Sequence, residues 1–303
     1  MNSITKLLLL TAGSLVAYKL IKIKTTPDLI TYYRGKVAIV TGGASGIGEA
    51  IVEKLYALGA NILVVDRNET ALMALAERLP GIATLNIDLV EADAPTKVLE
   101  LVHQHFGQLD LLFNNAGILF AGHFWDMTVA QIENLIQVNF LMQIRLTHAI
   151  LPHFLARGTG IIAYTGSLSA HVHAPVHSVY TGTKGGLHNF VAALRREIPL
   201  ASQVQLTIVQ PNITRTNLAD PRHFDEVEKL VAVETAPEVA LALLKGIARG
   251  QKEVFVRPVD NIYKWVERLA PSYADYAFRK MTDLTPKLTE LLALAPESEE
   301  PIS

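Results

Sequence analysis

The chain contains no cysteine, and only 18% of its 303 residues are charged. The absence of cysteine excludes disulfide bonds, thiolate metal sites and a cysteine nucleophile. The formal net charge of −2 gives no basic excess, so nucleic acid is not an expected partner. Half of the residues are apolar, which excludes a disordered chain and provides a core for one large α/β domain or two smaller ones.

One long apolar run stands at the N-terminus, LLLLTAGSLVAYKLI at residues 7–21. Extended to residues 4–23 it approaches the ~20 residues that span a bilayer, and flanking lysines could snorkel to headgroups. We therefore predict that residues 1–24 form an apolar helix that spans a membrane, lies at its interface, or packs on the protein surface. No small-x-small site clearly follows the run, which disfavours a cleaved signal peptide.

The charges around this run predict an orientation. If it spans a membrane, the positive residues that follow it outnumber those ahead of it and place the main body in the cytoplasm. These residues are Lys19, Lys22, Lys24, Arg34 and Lys36. A soluble cytoplasmic protein is the alternative prediction.

Short apolar segments alternate with helical patterns from residue 36 onward. The strand-like segments are 36–41, 61–66, 83–88, 109–114, 160–167, 204–210 and 253–256. Near-continuous apolar strands separated by helices are typical of a parallel sheet covered on both faces. We therefore predict an α/β fold over residues 36–257, a Rossmann-type doubly wound parallel sheet with helices on both faces. Residues 212–235 lack periodicity and predict a loop or short helices, and residues 258–303 predict a helical extension with an acidic tail.

A glycine-rich turn, TGGASGIG at residues 41–48, follows the first strand and opens the first helix. Gly42, Gly46 and Gly48 would let the backbone turn tightly and approach a pyrophosphate at the helix N-terminus. The turn lacks the Gly-Lys-Ser/Thr ending of a P-loop, which disfavours a nucleoside triphosphate. Asp66 ends the second strand, where a carboxylate can accept hydrogen bonds from an adenosine ribose and would repel a 2′-phosphate.

Three further motifs follow in order along the chain. Asn114-Asn-Ala-Gly117 ends the fourth strand, Gly166-Ser167 ends the fifth, and Tyr180-Thr-Gly-Thr-Lys184 lies on the next helix. Together with the glycine-rich turn, this combination resembles the short-chain dehydrogenase/reductase family. The resemblance runs from about residue 36 to residue 256, and thirteen positions separate Ser167 from Tyr180, as the family pattern requires. It also includes Asn139, Pro211 and Thr216.

The pair Tyr180 and Lys184 has a physical rationale of its own. The two residues are four positions apart and share one helix face, where an ammonium would favour the phenolate. Lowering a phenol pKa from ~10 toward ~7 to 8 takes roughly 3 to 4 kcal/mol, which a buried cation could supply. A positively charged nicotinamide ring would act in the same direction. Tyr180 could then exchange a proton with a substrate oxygen.

The resemblance implies the other roles in the site. Lys184 would also bind the nicotinamide ribose, Ser167 would hydrogen-bond the substrate oxygen, and Asn139 would hold a proton-relay water and a helix irregularity. The implied catalytic residues are Asn139, Ser167, Tyr180 and Lys184. The implied cofactor-binding residues are Gly42, Ser45, Gly46, Ile47, Gly48, Asp66, Arg67, Asp88, Leu89, Asn114, Ala116, Gly117, Tyr180, Lys184, Pro211, Ile213 and Thr216.

NAD is the predicted cofactor, because Asp66 would repel a 2′-phosphate and Ser45 places no positive charge in the glycine-rich turn. NADP stays open, because the Arg67 guanidinium beside Asp66 could clamp that phosphate. The chain departs from the family after the sixth strand, where Pro211-Asn212 replaces the common Pro-Gly. Asparagine tolerates left-handed backbone geometry, so the turn is expected to survive.

Three histidines precede the Tyr-Lys pair and raise the question of a metal site. They are His171, His173 and His177 in HVHAPVHSVYTGTK, residues 171–184. In the family pattern this segment borders the substrate cleft, no acidic or cysteine partner sits nearby, and the chemistry needs no metal. We therefore predict no metal and interpret the histidines as pocket wall or rim. His171 or His173 could orient a polar group of the substrate, or be a partly exposed loop residue.

The predicted activity is reversible oxidation of a secondary alcohol, or reduction of a ketone, with a nicotinamide cofactor. An apolar cleft wall would favour a lipophilic substrate such as a steroid, retinoid or acyl chain, although these residues could also be core: Ile118, Leu119, Phe120, Phe124 and Trp125. A non-catalytic dinucleotide-binding scaffold and a membrane-interaction protein are the alternatives. Four aromatics after the last strand, Trp265, Tyr273, Tyr276 and Phe278, predict a membrane interface or, alternatively, a homo-oligomer interface.

Overall fold

The computed structural model describes residues 27–216 and 233–284. Seven strands form its main sheet: β1 (Val37–Thr41), β2 (Asn61–Asp66), β3 (Ala83–Asn86), β4 (Leu111–Asn114), β5 (Thr159–Thr165), β6 (Gln203–Gln210) and β9 (Glu253–Phe255). All neighbouring strands run parallel, in the order β3-β2-β1-β4-β5-β6-β9. Two short strands, β7 (Thr214–Arg215) and β8 (Glu234–Thr235), pair in a separate small sheet.

Helices follow most of the strands along the chain. They are α1 (Leu29–Tyr33), α2 (Gly46–Ala57), α3 (Glu69–Arg78), α4 (Ala94–Phe106), α5 (Val129–Ile136), α6 (Met142–Arg157), α7 (Ser178–Glu197), α8 (Ala236–Ala248), α9 (Asp260–Leu269) and α10 (Pro271–Leu284). A π-helical segment, Gln137–Leu141, joins α5 to α6. Short 3-10 helices lie at Phe124–Asp126 and Leu168–Ala170.

Two apolar layers cover the main sheet, one on each face. Buried side chains of α2, α3 and α8 form one layer, as illustrated by Leu55, Leu75 and Leu243. Buried side chains of α4, α6 and α7 form the other, as illustrated by Val98 and Ile150. The central strands β1, β2, β4 and β5 lie between the two layers, so nearly all of their residues are buried. The prediction of a doubly wound parallel sheet with helices on both faces is confirmed.

The strand order reverses between β1 and its neighbour β4, because the chain first builds outward to β3 and then returns. In open parallel sheets, ligands bind at such a reversal, beyond the carboxyl ends of the strands. The glycine-rich turn after β1 and the Asn-Asn-Ala-Gly motif after β4 both lie at this point. The sheet therefore brings together the motifs that were separated in the sequence.

The remaining predictions concern the ends of the sheet domain. Helices α9 and α10 follow the last strand, in the part of the chain where a helical extension was expected. The predicted loop at 212–235 contains β7 and β8 near its ends, and its residues 217–232 lie outside the described residues. The apolar N-terminal segment and the acidic tail also lie outside them. Among residues 27–216 and 233–284, no helix combines the length and apolar character that crossing a bilayer requires.

Candidate active site

The glycine-rich turn has the shape that close approach of a phosphate requires. Gly42 and Gly46 have positive φ angles of 59° and 56°, which favour glycine. A Cβ at Gly48 would overlap the carbonyl oxygen of Gly42, so no side chain fits there. The turn opens α2 after Ser45, whose side chain makes no capping hydrogen bond to the helix. The first amides of α2 therefore suit the pyrophosphate of a dinucleotide.

Asp66 joins the end of β2 to this turn. Its Oδ2 accepts the backbone N–H of Ala44 at 3.0 Å, and its Oδ1 accepts the N–H of Asn68 at 3.1 Å. Each oxygen of a carboxylate has a second acceptor position, so both can still take a ribose hydroxyl. Arg67 is exposed next to Asp66. The two residues that bear on the choice between NAD and NADP therefore lie side by side.

The strand beside β2 in the sheet is β3, and the segment that follows it carries Asp88 and Leu89. Asp88 accepts the N–H of Val90 at 3.1 Å and Leu89 is buried, so both belong to a turn that follows β3. The polypeptide there returns toward the main sheet to begin α4. This placement is compatible with the adenine contact that the resemblance implies.

The Asn-Asn-Ala-Gly motif holds β4 against β1. Asn115 donates from Nδ2 to the carbonyl oxygens of Thr41 and Gly42, each at 3.1 Å. The Thr41 hydroxyl in turn accepts the N–H groups of Asn115 and Ala116. The side chain of Asn114 is fully buried and donates to Thr147. Asn115 and Thr41, which the sequence analysis did not select, thus fix the crevice, whereas the Asn114 side chain points into the core.

The helix irregularity expected at Asn139 is confirmed, because Asn139 lies within the π-helical segment Gln137–Leu141. Its side chain makes a reciprocal pair with Ile118: Oδ1 accepts the N–H and Nδ2 donates to the carbonyl, both at 2.8 Å. A Cβ at Gly117 would lie 3.1 Å from Asn139 Oδ1 and 3.6 Å from Lys184 Nζ. The structure therefore gathers Gly117, Asn139 and Lys184 around one point.

Ser167, Tyr180 and Lys184 complete this group. Ser167 follows β5, and its hydroxyl is hydrogen-bonded to the Tyr180 phenol. Lys184 is only 3% exposed and donates from Nζ to the carbonyl oxygen of Thr165 at 3.0 Å. The same Nζ lies 5.6 Å from the centre of the Tyr180 ring. Residues from β5 and α7 thus place a hydroxyl, a phenol and an ammonium together.

The pKa of Tyr180 differs from the sequence-based expectation. Burial raises the pKa of the phenol above its ordinary value, and the hydrogen bond from Ser167 opposes this rise. Burial also lowers the pKa of Lys184 to about 8. For these residues on their own, the pKa of Tyr180 therefore shifts in the direction opposite to the expected one, because burial disfavours the phenolate.

The turn after β6 is present, but hydrogen bonds hold it instead of the left-handed Asn212 backbone that was expected. Asn212 does not adopt a positive φ. Instead, its N–H donates to Glu234 at 3.0 Å and its side-chain amide donates to Asp260 at 2.9 Å. Pro211 precedes this turn and is buried, and Ile213 accepts the N–H of Glu234 at 2.8 Å. Two buried carboxyl groups that the sequence analysis did not select thus hold the turn.

Thr216 lies close to the glycine-rich turn. A Cβ at Gly46 would come within 3.3 Å of the Thr216 side chain. The segment after β6 therefore faces the N-terminus of α2, across the crevice. Of the predicted cofactor-binding residues, those in the glycine-rich turn, Asp66, Gly117, Lys184 and Thr216 lie near the carboxyl ends of the central strands, where parallel sheets bind ligands.

The three histidines before Tyr180 do not gather into one cluster. His171 Nε2 lies 2.7 Å from Glu253 Oε1, and His173 Nδ1 lies 2.6 Å from Glu267 Oε1. His177 lies beside the phenol, 6.4 Å from the Tyr180 ring centre, and burial lowers its pKa. The expectation that these histidines have no acidic partner nearby is wrong, because Glu253 and Glu267 arrive from distant parts of the chain.

Two loops meet at the rim beside His177. Val176 has a φ of 58°, an uncommon value for a β-branched residue, and its carbonyl oxygen accepts the N–H of Gly122 at 2.9 Å. Strained residues of this kind persist where the surroundings fix them, often at functional sites. This contact connects the segment before Tyr180 to the predicted apolar wall. Phe124 and Trp125 in that wall are 57% and 77% exposed, so they are not core residues.

The family model that matches the chain, short chain dehydrogenase, covers residues 36–226. An uncharacterized oxidoreductase of Staphylococcus epidermidis is 34% identical over 229 residues, 74% of this chain and 97% of that protein. The 11-beta-hydroxysteroid dehydrogenase-like 3 protein of Arabidopsis thaliana is 30% identical over 251 residues, 80% of this chain and 79% of its own. The chain belongs to the short-chain dehydrogenase/reductase family, and it is an oxidoreductase of that type.

Solved structures agree with this fold. A short-chain dehydrogenase/reductase from Burkholderia phymatum in complex with NAD has a TM-score of 0.72 at 20% identity, covering 89% of this chain and 99% of its own. The 3-ketoacyl-(acyl-carrier-protein) reductase from Brucella melitensis complexed with NADH has a TM-score of 0.67 at 22% identity, covering 74% of this chain and 98% of its own. At these identities the similarity concerns the fold.

Proposed function

We propose that the protein transfers a hydride between NAD and a lipophilic secondary alcohol or ketone. The observation that carries the proposal is the grouping of the Ser167 hydroxyl, the Tyr180 phenol and the buried Lys184 ammonium beside Gly117. A scaffold that only binds a dinucleotide has no need of this group. The group of Ser167, Tyr180 and Lys184 lies beyond the carboxyl ends of the strands, where parallel sheets bind ligands.

The chain's own residues account for binding and proton transfer. A bound nicotinamide cofactor supplies or accepts the hydride. Tyr180 donates a proton to the substrate oxygen in reduction and accepts one in oxidation, while Ser167 hydrogen-bonds the same oxygen. Lys184 provides positive charge beside the phenol, which favours the deprotonated form as oxidation requires. Asn139 keeps the π-helical segment and the Ile118 backbone in place, and a relay water there would carry the proton onward.

Lipophilic character of the substrate is supported by the rim. Phe124 and Trp125 expose large apolar surfaces next to the loop that leads to Tyr180. A relative named 11-beta-hydroxysteroid dehydrogenase-like 3 fits a steroid-like alcohol or ketone, and an acyl-chain ketone would suit the same surfaces. Burying apolar substrate surface on such side chains gives roughly 25 cal/mol per Å².

A turnover screen with each cofactor tests the proposal. Purified protein would be incubated with steroid, retinoid and long-chain secondary alcohols plus NAD or NADP, and with the matching ketones plus the reduced cofactors. We expect absorbance changes at the nicotinamide band for lipophilic substrates and little for short-chain alcohols. A Lys184→Ala variant serves as the inactive control. Cofactor binding without turnover across the whole panel would favour the scaffold.

Membrane association belongs to the same proposal and rests on α9. This helix turns polar residues toward the body of the protein: Asp260 is buried, and Lys264 donates to Glu253 at 2.7 Å. Its opposite side exposes Ile262, Trp265 and Leu269. An amphipathic helix with its apolar side outward suits a membrane interface. Alternatively, a second copy of the chain would cover this surface in a homo-oligomer.

A further inference from the structure

Gln210 is a fully buried polar residue at the carboxyl end of β6, directly behind Ser167. Its Oε1 accepts the backbone N–H of Ser167 at 2.9 Å. Its Nε2 points the other way, toward Glu253 Oε1 at 3.1 Å and His188 Nδ1 at 3.0 Å. One amide thus connects the strand that carries the catalytic serine to a cluster of ionisable side chains.

The hydrogen-bonding partners fix the orientation of this amide. The Ser167 N–H is a donor, so the oxygen of Gln210 must face it and the NH₂ must face the cluster. Glu253 and the unprotonated Nδ1 of His188 can accept the two amide protons. His171 Nε2, only 2.7 Å from Glu253 Oε1, donates to that carboxylate. Both amide protons of Gln210 then have an acceptor.

This arrangement argues against a cation at the cluster. His171, His188 and Glu253 have ligand atoms within 4.8 Å of one another, as a metal site would need. However, the Gln210 NH₂ lies within 3.0 to 3.4 Å of all three ligand atoms and occupies the space between them. The ammonium of Lys264 also pairs with Glu253 at 2.7 Å. Positive and donor groups already fill the position of an ion.

The charge states of Glu253 and His188 allow both side chains to accept the amide protons of Gln210. Burial by itself would raise the pKa of Glu253, but hydrogen bonds from His171 and Lys264 outweigh it and hold the pKa at about 2. Burial lowers the pKa of His188, Glu253 opposes this shift, and His171, Lys264 and Arg195 add to it. Glu253 therefore stays ionised and His188 stays neutral near neutral pH, which is the pattern that the amide protons need.

We propose that Gln210 is a positioning residue that holds Ser167 through its backbone N–H, so that the serine hydroxyl stays directed at Tyr180. The inference rests on the proposed function, in which Ser167 binds the substrate oxygen. The Ser167 hydroxyl oxygen accepts the N–H of Ser169 at 3.1 Å, which leaves its proton for the phenol. A side chain at Gly166 would collide with Gln210 Oε1, so the glycine permits this approach.

Two substitutions separate this role from packing. Gln210→Met keeps the approximate volume but removes the acceptor for Ser167. Gln210→Glu keeps an acceptor, and because its buried carboxyl would face the ionised Glu253 it should stay protonated and donate to Glu253 in place of the amide. Gln205→Met on the same strand is the matched control, because Gln205 donates hydrogen bonds to Thr207 and to the carbonyl of Ile247, away from Ser167.

We expect kcat to fall about tenfold or more in Gln210→Met, as for a lost buried hydrogen bond. Cofactor affinity should stay within about twofold, and Gln210→Glu should recover most of kcat.

Hydrogen exchange at the Ser167 amide gives a readout that needs no turnover. The amide should exchange slowly in wild type, Gln205→Met and Gln210→Glu, and faster in Gln210→Met. Turnover equal in Gln210→Met and Gln205→Met, or failure of Gln210→Glu to restore it, would overturn the inference. If wild type binds cofactor but turns over no alcohol or ketone, the proposed function fails instead. The exchange rates then decide the role of Gln210 by themselves, and equal rates in all four proteins would refute it.

Discussion

At the scale of single residues, burial pushes both members of the Tyr-Lys pair toward their neutral forms. The pKa of Tyr180 rises and that of Lys184 falls to about 8. An ionised phenolate beside the ammonium therefore needs a further positive charge, and an oxidised nicotinamide ring would provide one. Under the proposed function, we therefore expect deprotonation of Tyr180 to depend on the bound oxidised cofactor.

Tyr180→Phe should remove turnover and leave cofactor binding nearly intact, because only the proton-transfer group is lost. We expect kcat/KM to fall by about a thousandfold or more, within the usual range for a general acid–base residue and its hydrogen bonds. Nicotinamide fluorescence titration should give a dissociation constant within about twofold of wild type. Tyr56→Phe, at an exposed tyrosine on α2, is the matched control. Activity of Tyr180→Phe within a few-fold of Tyr56→Phe would exclude Tyr180 from the mechanism.

Asp66 and Arg67 should have opposite effects on the choice of cofactor. Asp66→Asn removes the charge that repels a 2′-phosphate, so the ratio of kcat/KM for NADP to that for NAD should rise about tenfold. Arg67→Gln should leave NAD use unchanged and lower any use of NADP. Steady-state kinetics with both cofactors measure the ratio. A wild-type preference for NADP that Arg67→Gln abolishes would show that the guanidinium outweighs the carboxylate.

At the scale of secondary-structure elements, the turn after β6 depends on a buried acidic pair. Glu234 on β8 is fully buried beside Asp260 at the start of α9, and both bind Asn212. Burial raises the pKa of Glu234 to about 7, the Asn212 N–H opposes the rise, and the charge of Asp260 adds to it. The small sheet β7-β8 therefore carries a carboxyl group that is protonated below neutral pH.

The stability of the folded protein should respond to this carboxyl. Its pKa is higher in the folded chain than in the unfolded chain, so between about pH 4.5 and 7 the folded state binds more protons. The stabilising contribution is present below that window and is lost as the pH rises through it. Relative to Glu234→Gln, the unfolding free energy of wild type should fall by on the order of 2 kcal/mol from pH 4.5 to 7.5.

Urea unfolding at several pH values measures this difference. Glu133→Gln, at an exposed position on α5, is the control and should follow wild type throughout. A constant difference between wild type and Glu234→Gln across the whole pH range would mean that Glu234 does not titrate there.

The elements also show what the sequence could predict. The strand pattern, the glycine-rich turn and the Tyr-Lys spacing are local, so the doubly wound sheet and the shared helix face of Tyr180 and Lys184 followed from them. The grouping of Ser167 with Tyr180 was implied by the family resemblance. The pairing of His171 with Glu253 spans 82 residues and has no local signal. The same holds for Gln210, whose importance depends on which side chains the folded sheet brings to the end of β6. The roles of such residues depend on tertiary contacts, which local sequence patterns do not contain.

At the scale of the whole molecule, eight of the seventeen large apolar side chains exposed in the described residues lie on the helical extension after the sheet, between Val259 and Tyr276. Trp265 and Leu269 of α9 are 48% and 76% exposed, and Tyr273 of α10 is 64% exposed. Polar partners hold the inner side of α9, since Lys264 pairs with Glu253 and Glu267 pairs with His173. The outward position of the apolar side is therefore built into the fold, and soluble monomers rarely expose large patches of this kind without a partner.

We expect this surface and the apolar run at residues 4–23 to act together at a membrane, where lipophilic alcohols and ketones concentrate. The 13 apolar side chains of this run, at fractions of a kcal/mol each, should outweigh the cost of lysines that can snorkel. The full-length protein should sediment with membranes, resist high salt and carbonate, and be released by detergent. Removing residues 1–24 should yield an active protein that stays in the supernatant.

The α9 surface is tested separately. Trp265→Ser and Leu269→Ser should weaken the binding of the protein to lipid vesicles, and Met73→Ser, at an exposed apolar residue on α3, is the control. Full-length protein that stays in the supernatant without detergent, as an oligomer in analytical ultracentrifugation, would instead assign the α9 surface to contacts between subunits.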